Sequence, residues 1–361
     1  MQKNQLPALI SDVSHLPQEL AASAGAAVQD ILAEAASANT TRSYTSALRY
    51  WAAWHLARFN QAMTFPVAEA VVIQFVVDHV ARKSKHGLVT ELPATIDQLL
   101  VQARVKSTLG PFKLSTVTHR VAVLSSLHAL KKLANPCEQA SVRHLLSRAR
   151  RASVKRGERP NKKTAITRSE LEAMLATCDE SLEGKRDRAL LYFGFASGGR
   201  RRSEIAAADM QDLQRVDETT YVYSLLHSKT DQAGPTAGST PEKPVLDAAA
   251  TALADWLQSA QITEGALFRR LWSDRVGPAL SPAAVGEIVQ RRTQLAGLTG
   301  NFAGHSLRSG FVTEAGRQGV SLPDVMAMTG HRSVAMVLEY FQRGGVTNNP
   351  AAKLLGDKTT K

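Results

Sequence analysis

Two motifs in the C-terminal half of the chain pair an arginine with a residue that could hold it or share its chemistry. In the first, Arg201 and Glu204 lie three residues apart after an apolar segment, so a helix would put both on one face. The carboxylate could hold the guanidinium rigid while its other donors point at a phosphate. In the second, His305 and Arg308 have the same spacing and would face a common point. Alone, the first motif is equally compatible with a basic turn at the surface, and the second with a capping histidine and a surface arginine.

Three further residues carry chemistry in weaker contexts. His331 follows a glycine between two predicted helices, and Tyr340 lies nine residues later on a short apolar helix. Lys229 lies in the polar stretch HSKTDQAGPTAGS after a predicted strand, where a lysine is usually solvated. Lys243 lies downstream in the same region and is the alternative to Lys229 as the lysine that carries chemistry. Taken singly, these residues have ordinary structural explanations.

The elements that position these residues follow from hydrophobic periodicity. The chain is expected to be mostly α-helical with a small β-sheet. Residues 15–150 are expected to form an all-helical domain after a flexible arm, residues 1–14. Helices are predicted at 17–36, 44–56, 67–81, 114–133 and 138–150, and a long loop with a short helix inside it at 83–113.

Residues 165–343 are predicted to form a mixed α/β domain. Thr167 begins a helix with the capping-box pattern TRSE. Residues 220–226 alternate as a strand does, and residues 243–246 are the candidate hairpin partner. Further helices are predicted at 248–259, 282–295, 305–318, 322–329 and 333–341. The tail, residues 344–361, includes a short amphipathic stretch at 351–355.

A basic linker, residues 151–164, is predicted between the two domains. Gly157 and Pro160 interrupt any helix, so an extended segment is expected. It either lies along a phosphate backbone or is a solvated strap. The predicted DNA contacts in and beside this segment are Arg150, Arg151, Lys155, Arg156, Arg159, Lys162 and Lys163.

The charge of the chain favours an anionic partner. The 361 residues carry a formal charge of +12, and nucleic acid is the commonest partner of such proteins, although anionic membranes also select basic charge. No apolar run is long enough to cross a membrane, and residues 1–18 lack the features of a signal peptide. Cys137 and Cys178 are not in a metal-type spacing. A cytoplasmic protein without membrane contact is therefore expected.

Taken together, the motifs are far more specific than they are singly. Their order along the chain, Arg, Lys, His-x-x-Arg, Gly-His and Tyr, resembles the catalytic signature of the tyrosine recombinase (phage integrase) family. RDRALLYFGFASGGRRRSEI resembles the family's first motif, and AGHSLRSGFVTEAGRQGVSLPDVMAMTGHRSVAMVLEYF resembles its second. RYWAAW in the N-terminal half is similar to a stretch in Cre-like members. Arg200 and Arg202 depart from the pattern, since apolar residues usually flank the motif's arginine.

The resemblance implies a helical core-binding domain of SAM-like fold followed by a tyrosine-recombinase catalytic domain. It implies an enzyme that cleaves and rejoins DNA through a 3′-phosphotyrosine, without a metal, nucleotide or other cofactor. Tyr340 would be the nucleophile, and Arg201 and Arg308 would bind the phosphate. His305 would accept the proton of the nucleophile, and Lys229 would protonate the leaving oxygen.

The remaining implied roles concern orientation and DNA binding. His331 would hydrogen-bond the phosphate, Glu204 would orient the arginine and histidine side chains, and Arg200 and Arg202 are expected to contact DNA. A homo-tetramer on two double-stranded DNA sites is implied, with the tail docked into a neighbouring protomer. Residues 1–36 are expected to be too short for the arm-binding domain of some integrases, so short inverted-repeat core sites are expected. The expected role is the integration or excision of a mobile element.

Three other functions share part of this pattern. A type IB topoisomerase shares the tyrosine, arginine, histidine and lysine chemistry, but the Cre-like helical domain favours a recombinase. A DNA-binding regulator with relic catalytic residues fits less well with an intact residue set. A metal-dependent nuclease would need a carboxylate cluster, which the sequence lacks.

Overall fold

The computed structural model describes residues 38–85, 87–158, 163–225, 241–273, 275–331, 333–335, 337, 338 and 341. The chain divides into two compact units, Met1–Pro160 and Asn161–Lys361. This boundary falls inside the predicted linker. The predicted arm at 1–14, the first predicted helix at 17–36 and the tail at 344–361 lie outside the described residues. Within the described residues, no helix has both the length and the apolar character needed to span a membrane.

The described part of the first unit consists of helices and one small antiparallel hairpin. Its elements are α1 (Ala38–Phe59), α2 (Glu69–His79), β1 (Arg82–Ser84), β2 (Gly87–Val89), α3 (Ala94–Gln102), α4 (Leu114–Leu130), a 3-10 turn (Pro136–Glu138) and α5 (Ala140–Lys155). Its core contains Trp51, Trp54 and Phe75, and the rings of Trp51 and Phe75 stack with their centroids 3.7 Å apart. The hairpin lies in residues predicted as a loop, because three-residue strands are too short to show alternation.

The prediction of an extended linker is wrong for its first residues, which are helical. Helix α5 continues past Arg150 and Arg151 to Lys155, since no residue in this stretch disfavours a helix before Gly157, whose φ is 79°. Arg156 is the C-cap residue of α5 and forms an ion pair with Glu158 at 2.7 Å. The predicted DNA contacts Arg159 and Lys162 lie outside the described residues, and Lys163 Nζ donates to Asn301 Oδ1 at 2.6 Å.

The second unit is mixed, as expected. Its elements are α6 (Arg168–Leu175), α7 (Leu182–Ala196), α8 (Arg202–Ala206), a 3-10 turn (Met210–Asp212), β3 (Leu213–Arg215), β4 (Thr220–Ser224), β5 (Glu242–Leu246), α9 (Asp247–Ser259), β6 (Arg269–Trp272), β7 (Arg275–Ala279), α10 (Pro282–Leu295), α11 (His305–Arg317) and α12 (Leu322–Thr329). Helix α7 lies in the core, where Leu190, Leu191 and Phe193 are fully buried. The predicted helices at 282–295 and 322–329 are confirmed.

The strands of the second unit form two small antiparallel sheets. Strand β4 lies between β3 and β5, and Tyr221 is opposite Val245, so the predicted hairpin partner is confirmed. Strand β3 and the hairpin β6–β7 were not predicted, because none of their residues is fully buried and their sequences show no alternation of apolar and polar residues. Near the C-terminus, Val334, Ala335, Val337, Leu338 and Phe341 are helical.

A buried carboxylate ties α7 to α10. Asp187 is fully buried and accepts hydrogen bonds from Arg186 Nη2 at 2.7 Å, Arg291 Nη2 at 2.5 Å and Arg292 Nε at 2.8 Å. Arg292 Nη1 also donates to the carbonyl oxygen of Thr177 at 2.7 Å. We call Asp187, Arg186, Arg291 and Arg292 the Asp187 cluster; it fixes the position of α10 on α7.

Candidate active site

The turn between α7 and α8 brings two chain segments unusually close together. Gly198 and Gly199 both have positive φ, at 99° and 68°, a conformation that residues other than glycine rarely adopt. A Cβ atom on Gly199 would lie 2.6 Å from the Cα atom of Arg308. The two glycines therefore allow the first arginine motif to pack directly against α11, which carries the second.

Arg201 and Glu204 make the contact that their spacing predicts. Arg201 is the N-cap residue of α8; its backbone N–H donates to Glu204 Oε2 at 3.0 Å and its Nη1 donates to Glu204 Oε1 at 2.5 Å. Burial raises the pKa of Glu204, but the charges of Arg200 and Arg201 outweigh that effect and the pKa is lowered overall. Glu204 is therefore ionised and holds Arg201, whose side chain is 19% exposed.

Arg308 is almost completely buried on α11. Its Nη1 donates to the carbonyl oxygen of Gly199 at 3.1 Å, and its Nη2 donates to that of Thr329 at 2.6 Å. Burial and then the charge of Arg201 lower the pKa of Arg308 to about 9, so the side chain stays protonated at neutral pH. In the part of the chain that the structure describes, the ion pairs of Arg200 and Arg201 both involve the carboxylate of Glu204.

His331 lies against Arg308 at the end of α12. Its Nδ1 is 2.6 Å from Thr329 Oγ1, and that hydroxyl donates to the carbonyl oxygen of Val325 at 2.7 Å. The hydroxyl therefore accepts from Nδ1–H, and Nε2 is left to accept from Arg308 Nη2 at 3.2 Å. Burial, followed by the charges of Arg308 and Arg201, lowers the pKa of His331 to about 3, so this imidazole is neutral.

His305 is the first residue of α11, one turn before Arg308. Partial burial of its ring and the charges of Arg308 and Arg201 lower its pKa below the usual range for histidine. The imidazole is therefore neutral near pH 7 and able to accept a proton. The site thus combines buried or half-buried cations with two neutral imidazoles, an arrangement suited to an anion that gains charge during a reaction.

Comparison with known proteins decides the family. The model of the phage integrase family matches residues 164–344, which include both arginine motifs. The chain belongs to this family. Its members are the tyrosine recombinases, enzymes that carry out site-specific DNA recombination. This confirms the resemblance inferred from the motifs.

Two relatives extend the match into the first unit. The recombinase is 34% identical over 285 residues to the integrase/recombinase xerD homolog of Selenomonas ruminantium, a match that covers 76% of this chain and 80% of the relative. It is 24% identical over 345 residues to the recombinase Cre of Escherichia phage P1, with 90% of each chain covered. The similarity to Cre therefore includes the helical N-terminal half.

Solved structures share the fold. The Tn1549 transposon integrase in complex with transposon right end DNA aligns with a TM-score of 0.52 at 14% identity, covering 88% of this chain and 95% of that one. XerH bound to difH substrate aligns with a TM-score of 0.51 at 16% identity, covering 97% and 94%. The predicted fold class, mostly α with small antiparallel sheets, is confirmed.

The structure brings most of the predicted catalytic residues of the recombinase together. The side chains of Arg201, Glu204, His305, Arg308 and His331 form one cluster of contacts and charges. The other two predicted catalytic residues, Lys229 and Tyr340, lie outside the described residues.

The residue after the predicted nucleophile is described. Phe341 packs among Val312, Ala315 and Val325 on α11 and α12. A Cβ atom on Gly316 would lie 2.2 Å from the carbonyl oxygen of Phe341, so the helix and this segment meet backbone to backbone. Phe341 is thus held against α11 of the same chain.

The prediction that Arg200 contacts DNA is wrong. Arg200 is fully buried, and its Nη2 donates to the carbonyl oxygen of Met328 at 2.5 Å. The family usually has an apolar side chain at this position. That pattern predicts a buried side chain, whereas the charge of Arg200 predicts an exposed one, and the pattern is the better guide. Arg202 is exposed, with its side chain over Gly304 and Gly286, and its contact with DNA stays a prediction.

Lys243 is a buried residue of the same cluster. Its side chain is almost inaccessible, and its Nζ donates to the carbonyl oxygen of Ala327 at 2.6 Å. Burial and then the charge of Arg200 lower the pKa of Lys243 to about 8. The burial was detectable in the sequence, because alternation on β5 places Lys243 on the same face as the core residue Val245.

Proposed function

We propose that this tyrosine recombinase cleaves and rejoins DNA through a 3′-phosphotyrosine at Tyr340. The observation that carries the proposal is the convergence of Arg201 and Arg308, with Glu204 as the one carboxylate among the described residues that offsets them. Such a site binds a phosphodiester and stabilises the additional charge of its pentavalent transition state. We call Arg201 and Arg308 the phosphate clamp.

The proposed reaction needs one nucleophile, one base and one acid. The phenolic oxygen of Tyr340 attacks phosphorus, the bond to the 5′ oxygen breaks, and the 3′ phosphate stays on the tyrosine. A phenol has an ordinary pKa near 10, so it needs a base, and the neutral imidazole of His305 takes its proton. Lys229 protonates the leaving 5′ oxygen. A 5′ hydroxyl of a partner strand then reverses these steps, so neither ATP nor a metal is needed.

His331 completes the phosphate site in this proposal. Its Nε2 faces Arg308 at 3.2 Å, so histidine and arginine reach the same point. A phosphate oxygen placed between them would accept from both once the imidazole presents a proton on Nε2. Glu204 supports the site from the buried side by holding Arg201.

DNA binding by the first unit is supported by its charge distribution. Helices α1, α4 and α5 contain no Asp or Glu, whereas α2 and α3 do. On α5, Arg150, Arg151 and Lys155 are exposed. We propose that this basic face of α5, rather than an extended strap, lies along a phosphate backbone.

The proposed substrate is double-stranded DNA with short inverted-repeat core sites, bound by a homo-tetramer on two such sites. The names of the structural neighbours support a DNA partner: XerH is bound to difH substrate, and the Tn1549 transposon integrase is bound to transposon right end DNA. Integration or excision of a mobile element in the cytoplasm is the proposed role.

A nicked suicide substrate tests the proposal. It traps the phosphotyrosine because the released strand end diffuses away, and a gel then separates free from covalently bound DNA. Wild-type protein should form the complex, and Tyr340→Phe should bind DNA but form none. Tyr192→Phe, on α7, is the matched control and should react normally. Residual complex with Tyr340→Phe would assign the nucleophile to another residue.

The rival functions give different results in the same assays. A type IB topoisomerase would relax supercoiled plasmid that carries no recombination site. A DNA-binding regulator would bind the substrate and form no covalent complex even as wild type. Recombination of two plasmid sites by wild-type protein would contradict both alternatives.

The proton donor can be identified with a substrate that carries sulfur at the 5′ bridging position. A thiolate leaves without protonation, so this substrate should restore cleavage by Lys229→Ala to near the wild-type rate. Lys243→Ala should not be rescued, because its Nζ donates to Ala327 O on α12. Rescue of Lys243→Ala alone would transfer the role to Lys243. Rescue of neither would leave His305 as the acid.

A further inference from the structure

The last turn of α12 accepts hydrogen bonds from three cationic side chains that belong to other parts of the second unit. A helix leaves its final carbonyl groups without backbone donors and has partial negative charge at that end. Here three consecutive carbonyl oxygens are each held by a different cation. The pairs are Lys243 Nζ to Ala327 O (2.6 Å), Arg200 Nη2 to Met328 O (2.5 Å) and Arg308 Nη2 to Thr329 O (2.6 Å).

Arg200 is an unusual residue for its place. It is fully buried, and among the described residues its Nε and Nη1 have no hydrogen-bond partner. The nearest carboxylate oxygen, Oε2 of Glu204, is 3.8 Å from Nη1, and Glu204 already binds Arg201. Burying a guanidinium with unpaired donors costs free energy that an apolar side chain would not. The bonds that offset this cost are made by Nη2, a short one to Met328 O and a longer one to the carbonyl oxygen of Gly198 at 3.2 Å.

The end of α12 determines where His331 lies. Gly330 caps the helix in the left-handed conformation, with φ 67°, and its N–H donates to the carbonyl oxygen of Met326 at 2.8 Å. His331 follows directly and contacts Arg308. A Cβ atom on Gly198 would lie 2.3 Å from Met328 O, so the α7–α8 turn packs tightly on this helix end. Displacement of the last turn would therefore displace His331.

We propose that Arg200 and Lys243 are positioning residues, which hold the C-terminal end of α12 so that His331 stays against Arg308. This inference rests on the proposed function of the site. In addition to burial, the charge of Arg200 contributes to the lowered pKa values of Lys243 and His331, which agrees with close packing around the helix end. Neither residue touches DNA; both act through α12.

The test compares Arg200→Met with Arg200→Lys and a control. Arg200→Met keeps much of the volume and removes all donors, whereas lysine can still donate to Met328 O. Arg168→Met is the matched control, since the side chain of Arg168 is 70% exposed. Arg200→Met should form the covalent complex with a suicide substrate about tenfold more slowly or worse, because small misplacements at a reacting centre are costly. Arg200→Lys should recover part of the rate, and Arg168→Met should match wild type.

The salt dependence of DNA binding separates positioning from a phosphate contact. A lost phosphate contact lowers the slope of log affinity against log salt by about one. A positioning role leaves the slope of Arg200→Met equal to that of wild type. A reduced slope with normal cleavage at saturating DNA would overturn the proposal and restore the contact predicted from the sequence.

The ring signals of His331 in NMR spectra of the free protein provide a readout that needs no catalysis. In Arg200→Met they should move, and the pKa of His331 should rise above about 3 because a neighbouring positive charge is gone. Lys243→Met should shift the same signals, and it replaces Arg200→Met in this test if Arg200→Met does not fold. Unchanged His331 signals in a folded variant would overturn the proposal. If wild type forms no covalent complex, the proposed function fails, and these signals still decide the positioning role.

Discussion

Two groups of arginines in the second unit donate their hydrogen bonds to different kinds of acceptor. In the Asp187 cluster, a fully buried carboxylate accepts from Arg186, Arg291 and Arg292, and the half-exposed Glu183 adds an ion pair to Arg291 at 2.7 Å. At the phosphate clamp, Arg308 donates to the neutral carbonyl groups of Gly199 and Thr329 and to a neutral histidine.

The difference separates a structural use of buried charge from a functional one. In the Asp187 cluster every guanidinium group donates to a carboxylate, either Asp187 or Glu183, so the group is complete without a ligand. At the clamp the positive charge is only partly offset by Glu204, and burial together with the charges of neighbouring arginines lowers the pKa values of Arg308 and His331. An incoming phosphate would supply the missing negative charge. The free energy that the fold spends on the uncompensated site is available for binding and transition-state stabilisation.

The largest effect is expected from the phosphate clamp. Replacing Arg308 with lysine should reduce the rate of covalent complex formation about 10²- to 10³-fold, because an ammonium group cannot make the forked contacts of a guanidinium. Arg201→Lys should behave similarly. Arg291→Lys, in the Asp187 cluster, is the control and should react near the wild-type rate. Equal rates for all three variants would remove the functional distinction between the clusters.

The Asp187 cluster should affect stability instead of chemistry. Asp187→Asn leaves three guanidinium groups without their buried counter-charge and should lower the free energy of unfolding by about 3 kcal/mol. Denaturant-induced unfolding measures this loss. Asp255→Asn, in the half-exposed pair with Lys185, should cost less than about 1 kcal/mol. Once normalised to folded protein, the cleavage rate of Asp187→Asn should equal that of wild type; a lower rate would give this cluster a functional role.

The missing negative charge at the clamp should be visible in the titration of His331. Its pKa is about 3 in the free protein, and a bound phosphate should raise it by about 1–3 units, because a nearby anion favours the imidazolium form. Binding then takes up a proton between the free and the raised pKa, so DNA affinity rises as pH falls through that window. NMR titration of Tyr340→Phe with and without duplex measures the shift, and no shift would place the phosphate elsewhere.

The smallest effect is expected at the exposed edge of the Asp187 cluster. The side chain of Arg291 is 39% exposed, and Asp187 keeps Arg186 and Arg292 when Arg291 is removed. Arg291→Gln should therefore lower the free energy of unfolding by less than about 1 kcal/mol. A loss as large as that of Asp187→Asn would show that all three arginines are needed to satisfy the carboxylate.

Several parts of the fold were predictable because their signals are local. The capping box at Thr167 and Glu170 is present, and α10 begins with the Ser281 cap and Pro282. The end of α5 was predicted too early, because Gly157 and Pro160 indicated an extended segment although the residues before them favour a helix. The hairpin β6–β7 was missed because its exposed Trp272 and its arginines do not alternate with buried residues.

By itself the sequence determined the family of this recombinase. The types and order of Arg201, His305, Arg308 and His331 identify the family, and helical spacing alone predicts the contact between Arg201 and Glu204. Only the tertiary structure decided what the inward-facing cations bind. Arg200 and Lys243 lie at positions whose local pattern points inward, but their acceptors are at the end of α12, 128 and 84 residues away along the chain. A contact of that kind is set by packing between distant elements, and no local pattern encodes it.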